Sequence, residues 1–152
     1  MVLRVIIFLV LNFAALGLGG LFTSKGVPSD WYQHLNKAPW TPPGWAFGFA
    51  WTLIMICFSF YMAYLWQSLN NHKFLITIFV IQWILNVSWN PAFFYFQIPS
   101  LGLVIIIALT LVVSYFQVNY WSNLNYKSFL ITPYFLWLLI ATSLNAYIVL
   151  KN

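Results

Sequence analysis

Polar and apolar positions are set out along this chain in long blocks. The seven formal charges, Arg4, Lys25, Asp30, Lys37, Lys73, Lys127 and Lys151, leave four uncharged intervals: Val5–Ser24, Ala38–Asn71, Phe74–Tyr126 and Ser128–Leu150. A helix needs about 20 mostly apolar residues to cross the hydrocarbon core, and a charge at its centre costs about 3 kcal/mol on insertion scales. The blocks therefore predict membrane spans. Phe74–Tyr126 is too long for one helix and breaks at Gln97-Ile98-Pro99-Ser100, where a proline follows polar residues. Ala38–Asn71 opens on three prolines within Ala38–Gly44, which remove backbone donors and disfavour helix, so that span starts near Trp45.

The expectation is an all-α membrane protein. It is a bundle of five transmembrane helices, about Leu3–Phe22, Trp45–Trp66, Phe74–Phe96, Leu101–Tyr120 and Ser128–Leu150, forming a single domain over residues 1–152 with a long structured loop, Thr23–Gly44, between helices 1 and 2. The later connections are short, so those helices should be antiparallel neighbours. An odd number of spans puts the termini on opposite sides. Each side carries three basic side chains, so the charge bias leaves the orientation open. In the long loop, Asp30-Trp31-Tyr32-Gln33 has the spacing of a capping box, with Asp30 accepting and Gln33 reaching back.

Composition agrees with the pattern: 63% of residues are hydrophobic, 22% aromatic and 5% charged, with a mean hydropathy of +0.87. An ordinary soluble domain could not carry this surface. Arg4 before an apolar run has the look of a signal peptide, but no A-x-A-like site follows and the run is as long as a span, so it is read as the first helix. The net charge of +5 comes from scattered residues with no basic run, and nucleic acid is not an expected partner. Cys57 is the one cysteine; inside a span it packs as a small hydrophobe.

Most catalytic machinery is missing. One carboxylate side chain and two histidines, His34 and His72, all outside the spans, exclude paired-carboxylate and metal-assisted hydrolysis. No nucleotide-binding glycine pattern occurs. With no ionisable group in the bilayer, proton pumping lacks its relay. What remains is aromatics and amides. Trp83, Asn86, Asn90, Phe93 and Gln97 follow one another at alternating steps of three and four, sharing one helix face; such amides serve either as interhelical glue or as ligand contacts. Pro91 predicts a local bend. Trp40, Trp45, Trp66 and Trp121 suit interfacial belts, whereas Trp51, Trp83 and Trp137 lie too deep. Interior indoles beside small residues such as Ala50 and Ala141 suggest a flat aromatic ligand.

These residues also carry a resemblance. Trp31-Tyr32-Gln33-His34-Leu35-Asn36-Lys37-Ala38-Pro39-Trp40-Thr41-Pro42-Pro43-Gly44 with Phe47-Gly48 and Trp51, then Leu85-Asn86-Val87-Ser88-Trp89-Asn90-Pro91-Ala92-Phe93-Phe94, then Pro133-Tyr134-Phe135-Leu136-Trp137 and Ala141-Thr142-Ser143-Leu144-Asn145-Ala146-Tyr147, resemble the tryptophan-rich sensory protein and translocator protein family (TspO/MBR, the peripheral-type benzodiazepine receptors). The likeness spans nearly the whole chain and keeps motif order.

The resemblance implies a multi-pass membrane protein, commonly dimeric, in a bacterial inner membrane or an outer mitochondrial membrane. Its pocket would open toward the first loop and take porphyrins such as protoporphyrin IX, sterols and benzodiazepine-like drugs. Porphyrin would be ligand or substrate, with no resident cofactor and no metal. Ligand-binding positions carried over or read from the spans are Tyr32, Pro42, Phe47, Trp51, Asn86, Asn90, Phe93, Gln97, Trp137 and Ala141. Trp51 and Trp137 match two tryptophans linked in some relatives to light-dependent porphyrin degradation. A different class of reading is a structural or transport-partner protein whose pocket holds only lipid.

The chain departs from the family pattern where Ile105 stands at a position often acidic, and where Ala38 replaces a proline. Leu144-x2-Tyr147-x3-Lys151 fits a weak cholesterol-contact pattern that occurs often by chance; an interfacial tyrosine and a snorkelling lysine are the preferred reading. For a homodimer, Ser88 and Ala92 offer a small-xxx-small pair on span three.

Overall fold

The computed structural model describes residues 1–152 and contains seven α-helices, numbered in chain order, with no strand. α1 (Val2–Gly26), α3 (Gly44–Ser68) and α5 (Pro99–Asn119) are each one apolar span. α4 (Lys73–Asn90) continues through a π-turn, Pro91–Tyr95, as the third span. The fifth is composite: the short α6 (Trp121–Leu124), a 3-10 segment (Asn125–Ile131) and α7 (Thr132–Lys151). Five spans, all long and apolar enough to cross a bilayer, make this an integral multi-pass membrane protein. They close a ring in which α1 touches α3 and α4, α4 touches α5, α5 pairs extensively with α7, and α7 returns more loosely to α3.

α1 runs one turn past Phe22, the expected end, to Gly26. Thr23, Ser24 and Lys25 are polar but still helical: Thr23 Oγ1 donates to the Gly19 carbonyl at 3.2 Å, and Lys25 sits in the last turn, where a cation complements the helix dipole. The connecting lid is therefore shorter, residues 27–43. Its one helix, α2 (Asp30–Gln33), is capped by Ser29, whose hydroxyl accepts from Tyr32 N at 3.3 Å. The capping-box reading placed the cap one residue late. Gln33 Nε2 instead donates to the Val27 carbonyl at 2.8 Å, which folds the lid back onto the end of α1.

The densest packing lies in the half of the bundle away from the lid. There Met55, Phe58, Tyr61, Met62 and Leu65 of α3 meet Val113 and Phe116 of α5 and Tyr134 and Leu138 of α7, all without solvent exposure. Rings meet edge to face around Phe58, 5.8 Å from Phe116 and 5.4 Å from Tyr134, the arrangement that aromatic quadrupoles favour. Polar groups tie helices where they are buried. Asn12 Nδ2 donates to Ser59 Oγ at 2.8 Å between α1 and α3, and Tyr61 Oη to the Phe116 carbonyl at 2.8 Å.

Ala92 is only 3% exposed and packs inside its own chain. Ser88 beside it is half-buried, so the Ser88/Ala92 pair is not an open small-xxx-small face.

Candidate functional site

Pro91 shapes the lid end of the third span. It brings no N–H for the Val87 carbonyl, and the helix answers with a π-turn closed by Phe96 N donating to Pro91 O at 2.9 Å, after which Ile98 N donates to Ala92 O at 3.1 Å. The Asn90 amide covers part of the loss, lying 3.2 Å from the Asn86 carbonyl and 3.5 Å from that of Val87. The turn swings Phe93 and Phe94 under the lid, where they are 2% and 9% exposed.

The lid is closed on them. Trp31 stands edge-on to Phe93 at 5.6 Å, and Tyr32 reaches Phe93 at 6.3 Å and Phe94 at 5.5 Å. Trp89 stacks on Phe93 at 5.1 Å and 18°, while its indole donates to Asn145 Oδ1 at 3.0 Å, joining α4 to α7. Asn145 Nδ2 donates to the Pro99 carbonyl at 2.8 Å, so the start of α5 is held in the same knot. Burial pushes the Tyr32 phenol above its ordinary value, leaving it a neutral hydroxyl at physiological pH. Lys37 Nζ lies 4.6 Å from the same ring, a cation over a π face.

Beneath this cap, on the α3/α7 side, stand the two tryptophans singled out from the sequence. Trp137 is 9% exposed and its ring meets Phe47 edge to face at 5.3 Å. Its Nε1 is buried without a hydrogen-bond partner. Trp51 is half-buried and meets Tyr134 at 6.0 Å. Tyr134 and Trp137, three apart on α7, share a face, and the Tyr134 hydroxyl accepts from Gln82 Nε2 at 2.7 Å, leaving Gln82 Oε1 unpartnered. Ala141, half-buried one turn beyond Trp137, packs on the same core. This wall is therefore aromatic, with a donor at Trp137 and an acceptor at Gln82 unused.

The ten sequence-predicted site residues fall into four groups. Phe47, Trp51, Trp137 and Ala141 gather between α3 and α7, and Tyr32 and Phe93 close the lid end. Asn86 is buried on α4 and Pro42 is half-buried on the lid. Asn90 and Gln97 point elsewhere. Asn90 Oδ1 accepts from Thr23 Oγ1 at 2.9 Å against α1, and Trp83 also turns that way, donating to the Leu11 carbonyl at 2.8 Å. Both serve as interhelical glue. Gln97 is exposed at φ 56°, beyond the π-turn, and lines an outer crevice with Phe22, Lys25 and Tyr95. The extra residue of the π-turn breaks the three-four spacing that placed Gln97 on the stripe.

Trp31, Trp89, Gln82 and Tyr134 join the site without having been singled out as binding residues. Trp89 lies three residues after Asn86, and Tyr134 three before Trp137, so helical spacing from accepted members was the available signal.

Comparison with known proteins agrees with this architecture. The model of the TspO/MBR family matches residues 6–150. The tryptophan-rich protein TspO of Archaeoglobus fulgidus is 35% identical over 145 residues, covering 94% of each chain. The protein of that name in Bacillus cereus is 34% identical over 134 residues, 83% of this chain and 86% of the relative. The translocator protein of Sus scrofa is 26% identical over 135 residues, 84% and 80% of the respective chains.

Proposed function

The chain belongs to the TspO/MBR family, and from that premise we propose that it binds a porphyrin-type tetrapyrrole between α3, α4 and α7, beneath the lid. The observation that carries the reading is the Trp137 indole N–H, buried and unpartnered on an aromatic wall. A donor left unmade in a low-dielectric interior costs about 1–3 kcal/mol. A flat ligand bearing nitrogen or oxygen acceptors recovers that cost and stacks on Phe47 and Trp51. Entry requires Trp31 and Tyr32 to lift from Phe93. Sterol- and benzodiazepine-like molecules, also flat and apolar, compete for the same space.

Titration of the purified protein with protoporphyrin IX should quench tryptophan emission saturably, and the Trp51→Phe/Trp137→Phe double variant should lose most of the effect. Quenching that never saturates, or is unchanged in the double variant, overturns the reading. It would then favour the alternative of a structural or transport-partner protein whose pocket holds lipid.

The pairing of Trp51 with Tyr134 favours a further, catalytic reading. A bound porphyrin is its own photosensitiser, dioxygen is the oxidant, and the protein supplies confinement and oxidisable indoles. Illumination in air should replace the porphyrin absorption with a product band. Equal bleaching by the Trp51→Phe and Trp137→Phe variants removes the catalytic role. A homodimer, the state that the resemblance implies, is part of this proposal. Only monomer on crosslinking in mild detergent would argue against it.

A further inference from the structure

A second crevice lies at the end of the bundle opposite the lid, where α3 finishes and the composite fifth span begins. Its volume is about 280 Å³, and its walls include Tyr64 and Gln67 of α3 with Asn123, Asn125, Tyr126 and Lys127 of the connection. That is below the usual range for drug-sized ligands and suited to a small polar group. Lys127 is its only charged wall residue. The ammonium is held over the Tyr64 ring at 4.2 Å, with the Tyr126 ring 6.0 Å away. The π faces fix its position and leave its charge unneutralised.

No carboxylate is available to neutralise it. Asp30, the one acidic side chain, is on the lid at the other end of the bundle. The other charged side chains at the Lys127 end are Arg4 and Lys73, both cationic, with His72 stacked on Trp66 at 4.0 Å. The Gln67, Asn123 and Asn125 side chains are exposed around the crevice and able to donate. Depth adds a constraint. Tyr126 of its wall is 75% exposed, and in the same connection Phe129 and Trp121, whose rings lie 5.2 Å apart, are 61% and 41% exposed, aromatic residues of the kind that sit at headgroup level.

We propose that this crevice is an anion site that takes a phosphate group, with Lys127 as the charged ligand and the Gln67, Asn123 and Asn125 amides as neutral donors. At that depth the phosphate is the headgroup of an anionic phospholipid. The site is independent of the lid-side pocket.

The test uses the full chain in neutral detergent, where no surface charge attracts lipid, with phosphatidylglycerol or phosphatidylcholine added and retained lipid counted by native mass spectrometry. Phosphatidylglycerol should be held in preference. Lys127→Gln should weaken its retention about tenfold, the weight of one charge-assisted bond, while Lys127→Arg preserves it. Lys73→Gln, which removes an equal charge from the same end but not from the crevice, should stay within about twofold of wild type. Equal loss in Lys127→Gln and Lys73→Gln, no loss in either, or equal retention of the two lipids overturns the site. Inorganic phosphate is the second probe: millimolar displacement of the lipid assigns the crevice to soluble phosphate, and failure to displace assigns it to the lipid headgroup.

Discussion

Two glycines show how closely the chain's helices meet. A Cβ on Gly26 would stand 2.3–2.5 Å from the Phe94 side chain, including its own Cβ, whereas one on Gly17 would meet nothing within 4 Å. Gly26→Ala should therefore force α1 off the π-turn and cost about 1–3 kcal/mol, as overpacking does. Gly17→Ala should be neutral or slightly stabilising through helix propensity. Thermal unfolding in one detergent, with both variants side by side, checks the contrast. The Gln82–Tyr134 hydrogen bond allows a similar test inside the bundle. Tyr134→Phe alone strands the second end of the Gln82 amide and should cost about 1–2 kcal/mol, while adding Gln82→Leu should restore much of it. Equal, additive losses in the double-variant cycle would show that the two groups are not coupled.

At the level of the element, the π-turn decides which residues the third span shows to the lid. Pro91→Ala supplies the missing N–H to the Val87 carbonyl and lets the helix close its regular ladder. Removing the extra residue of the turn rotates Phe93 and Phe94 by roughly 100°, one residue of a 3.6-residue turn. The variant should still insert and fold, since its apolar length is unchanged. It should lose most of the saturable protoporphyrin IX quenching and gain hydrogen-exchange protection over residues 92–97. Retained quenching would show that the turn is incidental to the site. The sequence announced a bend at Pro91 but could not announce its type, because an α-helical kink and a π-turn both answer the same missing donor.

For the whole molecule, the lid is fastened to the end of α7 at two points. Asn36 N donates to Asn152 Oδ1 at 2.8 Å and Asn36 Nδ2 to the Lys151 carbonyl at 3.2 Å. Trp40 lies on α7, its indole donating to Ser143 Oγ at 3.1 Å and its ring 5.5 Å from Tyr147. Tyr147 and Lys151, which fit the cholesterol-contact pattern, thus also hold the lid. Trp40→Ala with Asn36→Ala should release residues 27–43, raising their amide exchange and speeding both association and dissociation of protoporphyrin IX, with a smaller change in equilibrium affinity. Unchanged rates would mean that ligands enter between helices from the bilayer.

Sequence alone determined the number of spans, their approximate ends and the motif order that marks the family, because a charge or a proline run in hydrocarbon costs enough to fix where helices stop. It also marked Trp51, Trp83 and Trp137 as lying below the interface, by their depth along their spans; of these Trp137 is buried and the other two half-buried. Tertiary structure decided the faces. Asn90 and Gln97 leave the predicted stripe, Ala92 turns inward, and Trp89 joins Asn145. In water an apolar stripe tells the inside of a helix from its outside. In a membrane the lipid and the core are equally apolar, so Phe49 at 64% exposure and Phe58 at 0% lie on one helix with nothing in their chemistry to separate them. Only the neighbours brought together by folding make that distinction.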